Sequence, residues 1–314
     1  MQSHGEEILL VLLVVAFLIG ILGNGFVLLV NFFDWVKNKK LSTVDLILVV
    51  LALSRMNLLC IMVLKSFLVI LFLDRFTGTQ RKILDVLWII SHFTNLWFTT
   101  SLSIFYFLRI ANFSHPFFFW LKWRIKQVIN IFLVGPLFVS LFFELLFLEK
   151  VYYIRSLSRG ECERNESQEI QVIRNQYFIE KIGINSLNIP PFLLSTLSGF
   201  LLLLSLWKHT QQMQLQLKSS RDPSTEAHIR AMKATFSFLI LFLLYYVGIY
   251  ITYKSFLVTN SIFGVTVMSL YPMGHTLILI LWNSRLRITA LLVWGQMKCF
   301  LKLNKSQISK NACE

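Results

Sequence analysis

Apolar residues along this chain neither alternate with a strand's period of two nor mark the single stripe of a soluble amphipathic helix. They run nearly unbroken for about twenty residues at a time, and polar clusters separate one run from the next. A helix rises about 1.5 Å per residue, so about 20 apolar residues cross a hydrocarbon core of about 30 Å. Seven stretches reach that length, at about 8–33, 44–73, 84–108, 128–148, 182–206, 234–257 and 261–282. Only Lys254, Asn260 and Ser261 separate the last two. A single helix there would run about 49 residues and cross the bilayer twice, so the pattern predicts a tight turn. The expected organisation is a stub at 1–7, a seven-transmembrane helix bundle at 8–283, and a short amphipathic interfacial helix and tail at 284–314.

Composition supports an all-α membrane protein. Hydrophobic residues make up 56% and charged residues 15%, far below the charge of about 25% usual in soluble domains. The net charge of +14 sits in clusters between apolar runs and forms no basic ribbon, which argues against nucleic-acid binding. Cys60, Cys162, Cys299 and Cys313 have no metal-ligand spacing and imply no disulfide framework. The first run follows Glu6 and Glu7 and lacks a basic start and a small-residue cleavage site, so it reads as a retained signal anchor.

Orientation follows from where Lys and Arg lie beside the spans. With the N-terminus outside, the inner segments hold Lys37, Lys39 and Lys40, then Arg109 to Lys126, then Lys208 to Lys233, then Arg285 to Lys310, together 18 of the 30 basic residues. The segment between the fourth and fifth spans balances acids against bases and carries Asn165-Glu166-Ser167, a glycan acceptor usable only outside or in the lumen. Asn112 and Asn304 match the same pattern on the inner side, where they should stay bare. The C-terminus is cytoplasmic and the plasma membrane is the expected location.

Polar residues within the runs are the candidates for function. Arg55 at membrane depth costs about 2.5–3.5 kcal/mol on insertion scales and must face the bundle. Asn24, flanked by Gly23 and Gly25 that admit close helix approach, is its expected partner, and structural glue is the favoured role for the pair. Trp88, His92, Asn95, Thr99, Ser103 and Tyr106 recur every three or four residues and predict one interior stripe on the third span. Its outer half has the aromatic face and hydrogen-bonding groups of a small-molecule pocket; an interhelical contact is the plainer reading. No other His, Cys or carboxylate at ligand spacing makes His92 a metal site. Pro190, Pro191 and Pro272 predict loosened helices. Tyr245 and Tyr246 both qualify to bring a hydroxyl inward. Asp222 and Pro223 predict a helix start that carries the sixth span into the cytosol. Cys299, near the end of the interfacial helix, is open to S-palmitoylation. Neither a nucleotide loop nor a catalytic triad is present, so an enzyme is not expected, and no cofactor is implied.

Four separated blocks carry a resemblance. They are Leu102 to Pro116 continuing to Trp120-Leu121-Lys122-Trp123-Arg124; Leu51-Ala52-Leu53-Ser54-Arg55; Lys208-His209-Thr210 with Arg221 to His228; and Tyr271-Pro272 with His275 and Asn283-Ser284-Arg285-Leu286. Together they resemble type 2 (bitter) taste receptors over about residues 8–300. The resemblance implies a G-protein-coupled receptor that binds bitter small molecules in an outer cavity and activates a heterotrimeric G protein of the gustducin type. Trp88 matches a pocket tryptophan of the family and Tyr245 an inward tyrosine tied to activation; with the stripe, the expected ligand contacts are Trp88, His92, Asn95, Tyr245 and Val265, and Asn24, Arg55, Tyr106, Arg109 and His275 are expected in structural or activation roles. His92 stands where many members carry Asn, and Val265 where some carry an acid. A glycan at Asn165 fits the family's outer loop. A multi-pass transporter, using Arg55, Lys65 and His92, would show inverted repeats, and none is visible; the inner-loop blocks argue against a pheromone-type receptor.

Overall fold

The computed structural model describes residues 4–71, 78–111, 113, 115–139, 141–142, 187–208, 210–211, 223–254 and 258–311. These form α1 (His4–Asn38), α2 (Thr43–Leu71), α3 (Gly78–Ile110), α4 (Pro116–Trp123), α5 (Ile125–Val139), α6 (Leu187–Lys208), α7 (Pro223–Lys254), α8 (Val258–Trp282) and α9 (Ser284–Asn311), with no strand among the described residues. The chain is an all-α membrane bundle. α1, α2, α6, α7 and α8 are long and apolar enough to cross a bilayer. At 33 residues α3 has the length but carries a polar stripe, and the described part of α5 is shorter than a crossing needs. Lys254 and Val258 bound two separate helices, as the short-turn reading requires.

Local chemistry sets the helix ends. α1 stops where Lys39 takes a left-handed conformation (φ 53°), the usual device for turning a chain off a helix. α2 starts on a reciprocal cap: the Asp45 amide donates to Ser42 Oγ at 3.3 Å, and the Ser42 amide donates back to Asp45 Oδ2 at 3.4 Å. Pro116 opens α4 behind His115, whose ring nitrogen accepts from the Phe117 amide at 3.2 Å. The described part of α7 runs from Pro223, and the expected cap at Asp222 lies outside the described residues.

Polarity is inverted relative to a soluble bundle. Leu22, Phe33, Ile131, Phe138 and Leu193 lie exposed on the outer surface, while Arg55, His92, Asn95 and Thr99 are buried. Neighbours α1 and α2, α2 and α3, and α7 and α8 pack side by side. The α7–α8 contact is closest at Gly248 and Gly264, where a Cβ added to Gly248 would lie 2.8 Å from the Gly264 carbonyl oxygen. Gly23 meets Thr276 in the same manner, with 3.2 Å left for a Cβ. Gly25 does not share this role: nothing lies within 4 Å of a Cβ built there, so it faces away from the α1–α8 seam. Two apolar clusters fill the bundle. One holds Trp88, Phe242, Tyr245 and Tyr271 at the upper end, where α1 begins; the other holds Leu48, Leu102, Phe105 and Ile129 below.

Candidate functional site

The α3 stripe turns inward as its spacing requires: Trp88, His92, Asn95, Thr99 and Ser103 are buried and Tyr106 is half-buried. Trp88 and His92, one turn apart, stack in parallel with centroids 5.0 Å apart and 3° between the rings. The His92 ring then faces Tyr245 of α7, with Nδ1 2.5 Å from the tyrosine hydroxyl. That contact decides between the adjacent tyrosines. Tyr245 reaches α3, whereas Tyr246 turns towards α6 and donates to the Asn188 carbonyl at 3.0 Å. Val265 packs against this same cluster.

A charged pair borders the stack. Lys65 Nζ of α2 lies 2.5 Å from Asp85 Oδ1 and 5.3 Å from the Trp88 ring centroid. Asp85 is one turn before Trp88, and extending the three-and-four spacing backwards would have found it. Deeper in, both side-chain amide atoms of Asn95 and Nδ2 of Asn188 are buried with no hydrogen-bond partner among the described residues, and Asn188 lies beside the His92 ring. Buried polar atoms are nearly always paired, so this cluster is suited to a hydrogen-bonding guest.

Below the stack a polar network joins four helices. Tyr245 touches Tyr271 of α8 at 5.2 Å between centroids, and Tyr271 donates to Thr99 Oγ1 at 2.8 Å. Arg55 lies under Tyr271, its guanidinium carbon 5.6 Å from the ring centroid; it donates to His275 Nδ1 and, at 3.3 Å, to Thr276 Oγ1. Asn24 is not bonded to Arg55 directly. Its Oδ1 meets Thr276 Oγ1 at 2.9 Å, while its Nδ2 is spent on the Gly20 carbonyl of its own helix. The partner expected from sequence is therefore one hydroxyl removed. Thr276 also reaches the Pro272 carbonyl at 2.7 Å.

At the lower end a cavity of about 370 Å³ opens between α3, α6, α7 and α8, lined among others by Thr99, Ser103, Tyr106, Phe238, His275 and Asn283. Two of the sequence candidates, Tyr106 and His275, thus belong to this lower cavity and not to the stack. Arg109 is exposed just beyond it, its guanidinium carbon 5.7 Å from the Phe105 ring centroid. A second seam closes α3 on α6: Thr100 donates to the Pro191 carbonyl at 3.1 Å, and Ser103 and Ser198 share a hydrogen bond at 2.7 Å. Asn165 and the segment around it lie outside the described residues. No group of three His, Cys, Asp or Glu suited to a metal occurs among the described residues.

The family model for taste receptor protein (TAS2R) matches residues 1–298. The chain belongs to the type 2 taste receptor family. This receptor is similar to taste receptor type 2 member 7 of Macaca mulatta, 42% identical over 316 residues and 99% of both chains. It is also similar to taste receptor type 2 member 8 of Homo sapiens, 40% identical over 297 residues, which cover 92% of this chain and 96% of that one. Parts of the sequence blocks behind the resemblance lie at the lower end: Arg109 stands in the last turn of α3, Trp120 to Trp123 end α4, and Asn283 caps the receptor's α9 by accepting from the Arg285 amide at 3.1 Å.

Proposed function

We propose that the receptor sits in the plasma membrane with seven crossings, its N-terminus and Asn165 outside and α9 in the cytoplasm, and that it detects bitter small molecules. The agonist enters from outside and contacts Trp88, His92, Asn95, Tyr245 and Val265. The single observation that supports this site best is the Trp88–His92–Tyr245 stack with the unpartnered buried atoms of Asn95 and Asn188 beneath it. An aromatic wall offers apolar area, and the unpaired donors and acceptors offer orientation, as small-molecule sites require.

Agonist binding favours a conformation whose lower ends of α6 and α7 stand open to a heterotrimeric G protein of the gustducin type, by higher affinity for that state. The lower cavity is where such a partner would insert, and the exposed bases of that face suit an acidic partner surface. Calcium responses in cells carrying a responsive G protein, read over a broad bitter-compound panel, test this. Trp88→Ala should abolish or right-shift the responses while surface expression persists. Unchanged potency for every agonist would remove Trp88 from the site. Loss of a glycosidase-sensitive mass shift in Asn165→Gln would support the orientation; a shift that survives this change would count against glycan attachment at Asn165.

A further inference from the structure

We propose that the groove between α1 and α2 at the lower end is a specific seat for an anionic phospholipid of the cytoplasmic leaflet. One acyl chain lies in the groove and the headgroup sits on Lys39 and Lys40. The leaflet assignment rests on the orientation proposed above. The groove has a volume of about 390 Å³ and an apolar lining that includes Leu28, Leu29, Phe32, Trp35 and Leu41, with Asn31 its one polar residue. Leu29, Phe32, Trp35 and Leu41 are all exposed, so the groove opens to the hydrocarbon. The positions 28, 32 and 35 follow the helical repeat, which makes one continuous channel along α1 towards the membrane boundary.

Charge identifies the class of lipid. Lys39 and Lys40 lie between the lining residues Trp35 and Leu41, and with Lys37 they are exposed. Arg285 pairs with both nearby acids and offsets one of their two charges, so together with Lys37, Lys39 and Lys40 the mouth keeps a net positive charge. Arg285 Nη1 is 2.7 Å from Asp34 Oδ2, and its Nη2 is 2.8 Å from Asp45 Oδ1 and 2.5 Å from Asn31 Oδ1. The groove mouth thus presents free ammonium groups over an apolar slot, with an indole at the rim where aromatic residues favour the interface. Anionic headgroups at the inner surface attract each such lysine.

Photoactivatable phosphatidylserine and phosphatidylcholine, matched in their acyl chains, test the site in full-length receptor reconstituted in nanodiscs. Phosphatidylserine should label the segment 28–49 roughly thirtyfold more than phosphatidylcholine, the preference that two lysines supply. Lys39→Gln with Lys40→Gln should bring labelling down to the phosphatidylcholine level, and Lys39→Arg with Lys40→Arg should retain it. Leu29→Trp, which fills the slot from an exposed position and leaves the charges in place, should lower labelling by both lipids. Equal labelling by the two lipids, or labelling that ignores these changes, would leave only ordinary boundary lipid and overturn the proposal. Monodisperse purified protein for each variant separates lost binding from misfolding. Lys40→Cys, in a receptor whose Cys60, Cys162, Cys299 and Cys313 are replaced by Ser, tests the orientation separately in intact cells: a membrane-impermeant maleimide should react only after permeabilisation, and reaction in unpermeabilised cells would sink the leaflet assignment while the nanodisc result still stands.

Discussion

Tyr245 shows how far one hydroxyl decides a role. Its ring is buried, and it bridges α7 to the α3 imidazole that stacks on Trp88. Tyr245→Phe keeps the ring packing and removes the hydroxyl that reaches His92 Nδ1, a buried hydrogen bond of about 0.5–1.5 kcal/mol net. The expected outcome is an agonist EC50 changed by about two- to tenfold at matched surface expression. Tyr246→Phe should disturb the α6 contact through Asn188 and leave His92 in place. If Tyr246→Phe moves potency and Tyr245→Phe does not, the assignment between these neighbours is wrong. Arg55 sits at the opposite extreme, serving structure through several partners at once. Arg55→Ala leaves His275 Nδ1 buried without its donor, a cost of about 1–3 kcal/mol, while Thr276 keeps its bonds to Asn24 and Pro272. Surface staining of the variant should fall sharply; wild-type staining would refute a structural role for the Arg55 network.

At the scale of helices, the glycines provide a matched pair of tests. Gly264→Ala would place a Cβ 2.8 Å from the Thr252 amide nitrogen and 2.9 Å from the Gly248 carbonyl oxygen, both backbone atoms that no rotamer change can move. α7 and α8 must separate, an overpacking cost of about 1–3 kcal/mol or more. Gly25→Ala meets open space and gains helix propensity of about 1 kcal/mol. Thermal unfolding of the purified variants should show Gly264→Ala lowered and Gly25→Ala equal to or above the parent; the reverse order would contradict the packing. Sequence could not tell these glycines apart, because composition marks a small residue but not which way it faces. The α3 stripe was legible, since one period fixes one face. The Arg55 partner was legible only in part: Asn24 lies on the right helix, but Thr276, 221 residues away from Arg55 in the chain, supplies the contact, and no local signal announces it. The Ser42–Asp45 cap was readable in principle as a capping pattern. Its second function, in which Asp45 Oδ1 holds Arg285 across 240 residues, was not.

Across the whole molecule the aromatic stack and the lower cavity are joined without a break. Trp88 stacks on His92, His92 bonds Tyr245, Tyr245 packs on Tyr271, and Tyr271 touches His275, which lines the cavity. Spatial continuity alone does not show coupling; the physical requirement is an element with two arrangements that both ends bias. Tyr271 is the residue best placed for that. Its ring contacts the upper stack and its hydroxyl is tied to Thr99, a cavity-lining residue of α3. Tyr271→Phe keeps the ring and frees the hydroxyl's partner, so it should act on the balance between states more than on agonist contact. Coupling energies of about 1–3 kcal/mol are usual, enough to change basal activity or maximal response severalfold. The prediction is therefore a split readout. Trp88→Ala shifts EC50, whereas Tyr271→Phe changes basal signal or maximum with a smaller shift in EC50, both measured by G-protein activation at equal surface density. A Tyr271→Phe receptor with unaltered basal and maximal signal and a shifted EC50 would mean that Tyr271 merely shapes the binding site, and the link from the upper stack to the lower cavity would have to run elsewhere.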